Sequence, residues 1–151
     1  MRKPAAIGQP GVTIPSSVDF STFDMLVVDD NYFLRRLIQE ILDSFGVGQI
    51  RQATCADEAM EEIRRQRPDI VFCDWIMPRS DGLMLLRTLR GGAGYGRIPL
   101  IVVSGHATDD HVAQAMGEGA DSYVVKPFTA NTVMQHVLKV IARDEEIHFL
   151  E

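Results

Sequence analysis

The sequence predicts a single α/β domain in which helices cover both faces of a doubly wound, five-stranded parallel sheet. Short apolar runs rich in β-branched residues recur along the chain, as in strands buried on both faces of a parallel sheet. Amphipathic helical patterns alternate with these runs, and the connections are short. The 151 residues, 46% of them hydrophobic and 24% charged, suffice for one such domain with a full core.

The first half of the chain contains two strand–helix units. They are a strand over residues 25–28, a helix over Tyr32–Ser44, a weak strand over Gln49–Ala53 and a helix over residues 57–65. The first helix carries apolar residues at i, i+3 and i+4 spacing, and Gly46 follows it where a helix stop is expected. The second helix ends before Pro68, because the residue preceding a proline disfavours helical geometry.

The second half continues the alternation with three further units. They are a strand over Ile70–Cys73, a helix over 83–89, a strand over 100–103, a helix over 111–116, a strand over 121–125 and a helix starting near Thr129. Thr129 is a candidate N-cap for the last helix. Residues 91–96 are glycine-rich, but they follow a helix and precede a strand. We therefore interpret them as a flexible connection and not as a nucleotide-binding loop.

The two ends of the chain differ from the domain between them. Residues 1–22 are rich in Pro, Gly and Ser without periodicity, so we expect a flexible N-terminal extension. Residues 23–143 form the expected domain, and 144–151 form a C-terminal tail that extends or frays from the last helix. Since no chain is left for it after that helix, we expect no DNA-binding output domain.

Charge and hydropathy exclude several classes of function. The net charge of −6 argues against direct nucleic-acid binding, which needs a basic surface. No stretch approaches the ~20 apolar residues of a membrane span, so we expect no membrane insertion. The N-terminus has no apolar segment of the kind found in signal peptides, and we expect a cytoplasmic protein.

Polar groups stand at the ends of four of the predicted strands. Asp29 and Asp30 follow the first strand, Asp74 the third, Ser104 the fourth and Lys126 the fifth. The carboxyl ends of parallel strands lie along one edge of the sheet, and ligands bind in the crevice outside it. Groups spread over the chain are therefore expected to converge on one pocket.

These residue types suit metal-assisted phosphoryl chemistry. Three convergent carboxylates favour a hard divalent cation, Mg²⁺ before Ca²⁺, because the small set leaves room for waters. Asp29 and Asp30 would equally suit a helix N-terminus, a role compatible with metal binding. A carboxylate beside a metal, such as Asp74, can act as a nucleophile on phosphorus. Lys126 and Ser104 are placed to stabilise charge on the equatorial oxygens.

Five motifs occur in a consistent order and spacing. They are Val27-Val28-Asp29-Asp30-Asn31, Asp74-Trp75-Ile76-Met77-Pro78, Asp81-Gly82, Val103-Ser104-Gly105 and Tyr123-Val124-Val125-Lys126-Pro127-Phe128. In these motifs the chain resembles the response-regulator receiver domains of bacterial two-component signalling, closest in layout to single-domain chemotaxis regulators. The resemblance covers residues 23–143 and implies a flavodoxin-like fold with strand order 2-1-3-4-5.

The resemblance implies a phosphoacceptor and a metal site. Asp74 would accept a phosphoryl group from a phosphohistidine on a sensor histidine kinase or a histidine phosphotransfer protein. Mg²⁺ would be held by Asp29, Asp30, Asp74 and the backbone carbonyl of Ile76. The apolar Ile76 side chain would not help to orient an attacking water, so we predict slow self-dephosphorylation.

The resemblance also implies a switch. Lys126 would pair with the phosphoryl oxygens, and Ser104 would move to hydrogen-bond them. Tyr123 would be an aromatic switch that turns inward behind Ser104. The Lys126–Pro127 peptide bond would be cis.

Three functions remain open on the sequence. The first is a stand-alone response regulator that switches protein–protein interactions with an effector through the face made by the fourth helix, fifth strand and fifth helix. The second is a phosphorelay shuttle that passes the phosphoryl group to a histidine phosphotransfer protein. The third is an aspartyl-phosphate phosphohydrolase. Such enzymes carry a second acid at the position where this chain has Ile76, which argues against this function. In the first two, the protein is no enzyme beyond its own phosphorylation and dephosphorylation.

Overall fold

The structure is a computed structural model that describes residues 18–77, 82–92, 94–105 and 108–150, with side chains described as far as residue 143. A 3₁₀ helix, Phe20–Thr22, precedes five alternating strands and helices. These are β1 (Asp24–Val28), α1 (Tyr32–Ser44), β2 (Gln49–Ala53), α2 (Ala56–Arg65), β3 (Ile70–Cys73), α3 (Gly82–Arg90), β4 (Leu100–Ser104), α4 (Asp109–Gly117), β5 (Ser122–Val125) and α5 (Ala130–Leu150).

All strand pairs are parallel, and the strand order is β2-β1-β3-β4-β5. Successive side chains of a strand point to opposite faces, so each inner strand contributes to two cores. Along β1, Leu26 and Val28 face a core shared with α2 and α3, whereas Met25 and Val27 face a core shared with α1 and α5. The predicted doubly wound α/β fold and its strand order are confirmed.

Local signals in the sequence locate most helix ends. Gly46 adopts a φ of 85°, the left-handed conformation expected of the residue that stops α1. Thr129 accepts a hydrogen bond from the Thr132 amide at 3.1 Å, which confirms it as the N-cap of α5. Helix α4 starts two residues before the predicted 111, because Thr108 caps it and accepts from the His111 amide.

The last residues of the expected N-terminal extension, 18–22, contact the domain. Phe20 is buried in the core beneath α1 and packs edge-on against Phe23, with ring centroids 5.7 Å apart. The Phe20 carbonyl accepts from the Gly48 amide at 3.0 Å, which ties this segment to the start of β2. Phe20 and Phe23 are too few apolar positions to establish a helical or strand period, so the pattern did not reveal the burial of Phe20. Residues 1–17 of the predicted extension lie outside the described residues.

The C-terminal segment continues α5. The helix extends through Leu150. In the part of the chain that the structure describes, no helix combines the length and the apolar character that a membrane crossing requires.

Candidate functional site

The carboxyl edge of the sheet, where the five strands end, holds the predicted site. Asp29 directly follows β1, and its amide donates to the Ala53 carbonyl of β2 at 3.1 Å. Asp74 directly follows β3, and its amide donates to the Val28 carbonyl of β1 at 3.0 Å. Both backbones thus extend the parallel ladder by one bond, which places the two carboxylates side by side on adjacent strands.

Three carboxylates meet at this edge. One oxygen each of Asp29, Asp30 and Asp74 can be chosen so that all lie within 4.8 Å of one another. Asp29 is 2% exposed and Asp74 9% exposed, whereas Asp30 faces solvent. Asp29 also accepts from the Asn31 amide at 2.8 Å, which orients its carboxylate at the start of α1. The predicted convergence is therefore present in the structure.

Lys126 supplies the cationic group at this edge. Its Nζ lies 3.3 Å from Asp29 Oδ2 and 3.7 Å from Asp74 Oδ2. The Lys126 amide donates to the Ser104 carbonyl at 2.8 Å, which holds the residue at the end of β5. The Lys126–Pro127 peptide bond is cis, as the resemblance implied.

The hydrogen bonds and the cation around the buried carboxylates stabilise their negative charge only in part. Burial raises the pKa of Asp29, and the Asn31 amide and Lys126 only partly oppose it. Burial likewise raises the pKa of Asp74; Lys126 opposes the shift and the Asp29 charge adds to it. Among the described residues, three carboxylates and one ammonium group meet here, and this donor set fits a hard divalent cation that prefers oxygen ligands. Asp29, Asp30 and Asp74 are the side chains that would hold it.

The segment after Asp74 shapes the pocket. The Trp75 and Ile76 amides donate to the Asp74 carboxylate, which lowers the pKa of Asp74 slightly against the effect of burial. Trp75 is buried, so it serves as packing and not as an exposed rim contact, whereas the Ile76 side chain is 44% exposed. The Gly82 amide donates to the Trp75 carbonyl at 2.8 Å and closes the segment onto α3.

Ser104 and Tyr123 form a linked pair. Ser104 is fully buried at the end of β4, and its side chain hydrogen-bonds the Tyr123 hydroxyl. Burial raises the pKa of Tyr123, the Ser104 hydrogen bond lowers it, and the Asp74 charge raises it. Tyr123 on β5 is only partly buried. The structure thus joins a hydroxyl at the site to an aromatic ring near the surface.

One contributor to the site, Arg35, was missed on the sequence, and another, Gly82, was named there only as part of a motif. Arg35, one helical turn into α1, donates from Nη1 to the Asp29 carbonyl at 2.7 Å and from Nε to Gln52 at 2.9 Å. Gly82 leaves no room for a side chain, because a Cβ there would lie 2.5 Å from the Asp74 carbonyl oxygen. Its motif position was the only signal. Of the other motif residues, Pro78 and Asp81 lie outside the described residues.

Comparisons with known proteins agree with this geometry. A family model described as the response regulator receiver domain matches residues 25–138. The chemotaxis protein CheY of Pseudomonas aeruginosa is 31% identical over 119 residues, covering 79% of this chain and 96% of that protein. The chemotaxis protein CheY-3 of Vibrio cholerae is 29% identical and covers 79% of this chain and 92% of that protein.

Solved structures give the same result. The receiver domain of NtrX from Brucella abortus aligns with a TM-score of 0.73 at 31% identity, covering 79% of this chain and 98% of that one. A putative response regulator from Chloroflexus aurantiacus aligns with a TM-score of 0.75 at 24% identity, covering 80% and 98%, and supports the fold alone. Because the family model covers well over half of the sequence, the chain belongs to the response regulator receiver domains of two-component signalling.

Proposed function

We propose that this chain is a CheY-like response regulator in which Asp74 accepts a phosphoryl group from a phosphohistidine. The donor is a sensor histidine kinase or a histidine phosphotransfer protein. The observation that carries this proposal is the surroundings of Asp74: a carboxylate only 9% exposed, next to two more carboxylates, with Lys126 Nζ at 3.7 Å. A carboxylate that served only stability would be paired one-to-one, as buried charges usually are.

In the proposed transfer, one Asp74 oxygen attacks the phosphorus atom and forms the O–P bond. The N–P bond breaks, and its electron pair leaves on the imidazole nitrogen of the donor histidine. The amides of Trp75 and Ile76 hold the Asp74 carboxylate in place for this attack. Lys126 lies close enough to Asp74 to pair with the phosphoryl oxygens as they arrive.

We propose that the site takes Mg²⁺, held by the carboxylates of Asp29, Asp30 and Asp74 and the backbone carbonyl of Ile76. When bound, Mg²⁺ offsets the negative charge that the phosphoryl oxygens bring to the site. Asp29 is oriented for this role by the Asn31 amide on one carboxylate oxygen and Lys126 on the other.

The proposed switch runs from Ser104 to Tyr123. Ser104 now hydrogen-bonds the Tyr123 hydroxyl, so a Ser104 hydroxyl that turns to the phosphoryl oxygens releases Tyr123 to another position. Tyr123 lies on β5 between α4 and α5, and two apolar side chains nearby are exposed, Met116 of α4 and Val125 of β5 itself. An effector that binds one Tyr123 position better than the other reads the phosphorylation state.

The chemistry proposed for the chain is limited to its own phosphorylation and dephosphorylation, in the cytoplasm where the donor's histidine is phosphorylated. A phosphorelay shuttle uses the same site and differs in its acceptor, a second histidine in place of an effector. The beryllofluoride-treated protein and Asp74→Asn, compared for bound partners, separate these two functions. An effector binds the first form preferentially, whereas a phosphotransfer protein that returns the label to histidine indicates the shuttle.

Labelling with radioactive acetyl phosphate tests the central proposal. The wild-type protein is expected to incorporate label in the presence of Mg²⁺. When EDTA is added before the acetyl phosphate, it is expected to incorporate none. Asp74→Asn is expected to remain unlabelled, and Asp57→Asn, which changes an exposed acid of α2, is expected to label like the wild type. Label that persists in Asp74→Asn, or that is indifferent to Mg²⁺, contradicts the proposal.

A further inference from the structure

A cleft of about 240 Å³ opens at the amino edge of the sheet, where β4 and β5 begin. It lies at the opposite end of β5 from the phosphoacceptor: Asp121 precedes the strand and Lys126 follows it, roughly 16 Å away at the usual rise per residue. The cleft is therefore separate from the carboxylates of the carboxyl edge.

Among the residues that the structure describes, three arginines and one acid line the cleft. Arg90 comes from the end of α3, Arg97 from the connection to β4, and Arg143 from α5, while Asp121 is the acidic residue of the lining. The whole chain has a net charge of −6, so a concentration of guanidinium groups here runs against its overall balance. Since the three residues come from separate elements, only the fold brings them together.

The Asp121 carboxylate is occupied by partners other than Arg143. Its Oδ2 accepts from the Leu100 amide at 2.8 Å and from Arg90 Nη2 at 2.9 Å. Arg143 contacts Asp121 through the neutral backbone carbonyl, at 3.1 Å from Nη1. Within the described side chains, the Asp121 carboxylate therefore pairs with Arg90, whereas Arg143 donates to a neutral carbonyl.

Arg90 is held in place before any ligand arrives. Its Nε donates to the Gly119 carbonyl at 3.1 Å and its Nη1 to the Ile98 carbonyl at 2.7 Å. Burial lowers the pKa of Arg90, and Asp121 opposes the shift. A half-buried guanidinium group of this kind gains from a second anion, because its desolvation is only partly compensated.

We propose that this cleft binds a small phosphorylated molecule, with the phosphoryl group among Arg90, Arg97 and Arg143 and the remainder against Pro99 and Val140. Guanidinium groups match phosphoryl oxygens through paired hydrogen bonds. Donors from three separate elements suit a tetrahedral group better than a planar carboxylate. The volume is below the 300–1,000 Å³ typical of drug-sized sites, so it suits a small phosphate ester and not a dinucleotide.

Titration of the full chain with phenyl phosphate tests the proposal, followed by amide chemical shifts in Mg²⁺-free buffer at constant ionic strength. We expect saturable shifts at Gly96, Leu100 and Asp121. Arg143→Gln is expected to weaken binding about tenfold, the usual effect of losing one charged hydrogen bond. The matched control Arg64→Gln, at an exposed arginine of α2, is expected to bind like the wild type.

Two results would overturn the proposal. One is binding that is not saturable, or that weakens equally in Arg143→Gln and Arg64→Gln, which would indicate general attraction of anions. The other is phthalate, a planar dianion of similar size, binding as tightly as phenyl phosphate, which would contradict the phosphoryl assignment. Labelling of Asp74 by acetyl phosphate is expected to be unchanged in Arg143→Gln, which verifies that the variant is folded.

Discussion

At the amino edge of the sheet Asp24 is 7% exposed, and at the carboxyl edge Asp74 is 9% exposed, yet these two aspartates have very different surroundings. Asp24 is paired with a buried arginine in a two-pronged ion pair, from Arg51 Nε and Nη2, both at 3.0 Å. Asp74 shares one lysine, at 3.7 Å, with Asp29 and has two further carboxylates as neighbours.

At the start of β1, the buried charge of Asp24 is paired with Arg51, and this pair serves stability. Besides its pair with Asp24, Arg51 donates to the backbone carbonyls of Glu62 and Gln66, both at 2.8 Å. These bonds join β1 and β2 to the end of α2. Bidentate pairs of this geometry are among the strongest polar contacts in proteins.

At the carboxyl edge, the described carboxylates outnumber the described cationic partners, and burial raises the pKa of both Asp29 and Asp74. The depth to which an aspartate is buried therefore does not reveal its role. The number of cationic partners does: one partner per acid produces a structural contact, and a deficit produces a site that gains when a cation binds.

The largest expected effect comes from breaking the satisfied pair. Arg51→Met leaves the Asp24 charge buried without its partner and is expected to lower the free energy of unfolding by roughly 3–5 kcal/mol. Urea denaturation measures it, with Arg64→Met on the exposed side of α2 as the control, expected to change stability by less than about 0.5 kcal/mol. The double variant Asp24→Leu, Arg51→Met should recover much of the loss; a single variant as stable as the control would show that the pair contributes nothing.

The second largest effect is expected from a steric clash with the backbone at the carboxyl edge. Gly82→Ala would place a Cβ 2.5 Å from the Asp74 carbonyl oxygen and 3.1 Å from the Trp75 ring. We expect it to lower stability by about 1–3 kcal/mol, the usual cost of overpacking, and to slow labelling of Asp74. The control Gly117→Ala, at the end of α4 with nothing within 4 Å, should be neutral or slightly stabilising. Equal behaviour of the two variants would remove Gly82 from the site.

Removing one of the clustered carboxylates at the carboxyl edge is expected to increase stability. Asp74→Asn removes a buried carboxylate whose pKa is raised from 3.8, so without Mg²⁺ we expect a gain on the order of 1 kcal/mol at neutral pH. The raised pKa means that the folded wild type binds protons more readily than the unfolded chain. The ionised Asp74 carboxylate therefore lowers the stability of the wild type by its full amount above the folded-state pKa. This destabilisation disappears as pH falls towards 3.8.

Thermal unfolding of both proteins between pH 7 and pH 4, with and without Mg²⁺, measures this gain. The advantage of Asp74→Asn should shrink as pH falls, and Mg²⁺ should stabilise the wild type more than the variant. An Asp74→Asn variant less stable than the wild type in Mg²⁺-free buffer at pH 7 would mean that Lys126 compensates the site fully.

The smallest expected effect is kinetic. Ile76 is 44% exposed beside Asp74, so Ile76→Asn should leave stability unchanged. A polar side chain there can orient water, and we expect the phosphorylated form to lose its label several-fold faster, a barrier change of about 1 kcal/mol. The half-life of labelled protein after removal of the donor measures it, with Ile76→Leu as the control. An unchanged half-life in the asparagine variant would assign the lifetime to other residues.

The parts of this molecule that could be predicted depend on periodicity and on strand ends. Because parallel strands end at one edge, residues as distant as Asp29 and Lys126 could be assigned to one pocket, and they lie 3.3 Å apart. Phe20 could not be predicted to be buried, since two phenylalanines three positions apart are too few to establish a period. The Arg51–Asp24 pair escaped notice because it depends on the register of β1 against β2, which the weak pattern of β2 does not specify.

The sequence by itself determined the alternation of strands and helices, the fold class and the identity of the groups at the carboxyl edge. Apolar spacing and chain order can be recognised from the sequence alone, because they are local properties. Only the tertiary structure decided how each charge is balanced: one arginine for Asp24, one lysine shared at the carboxyl edge, and three arginines around a cleft near Asp121. Charge balance depends on distances between side chains far apart in the chain, and those distances exist only once the helices have packed on the sheet.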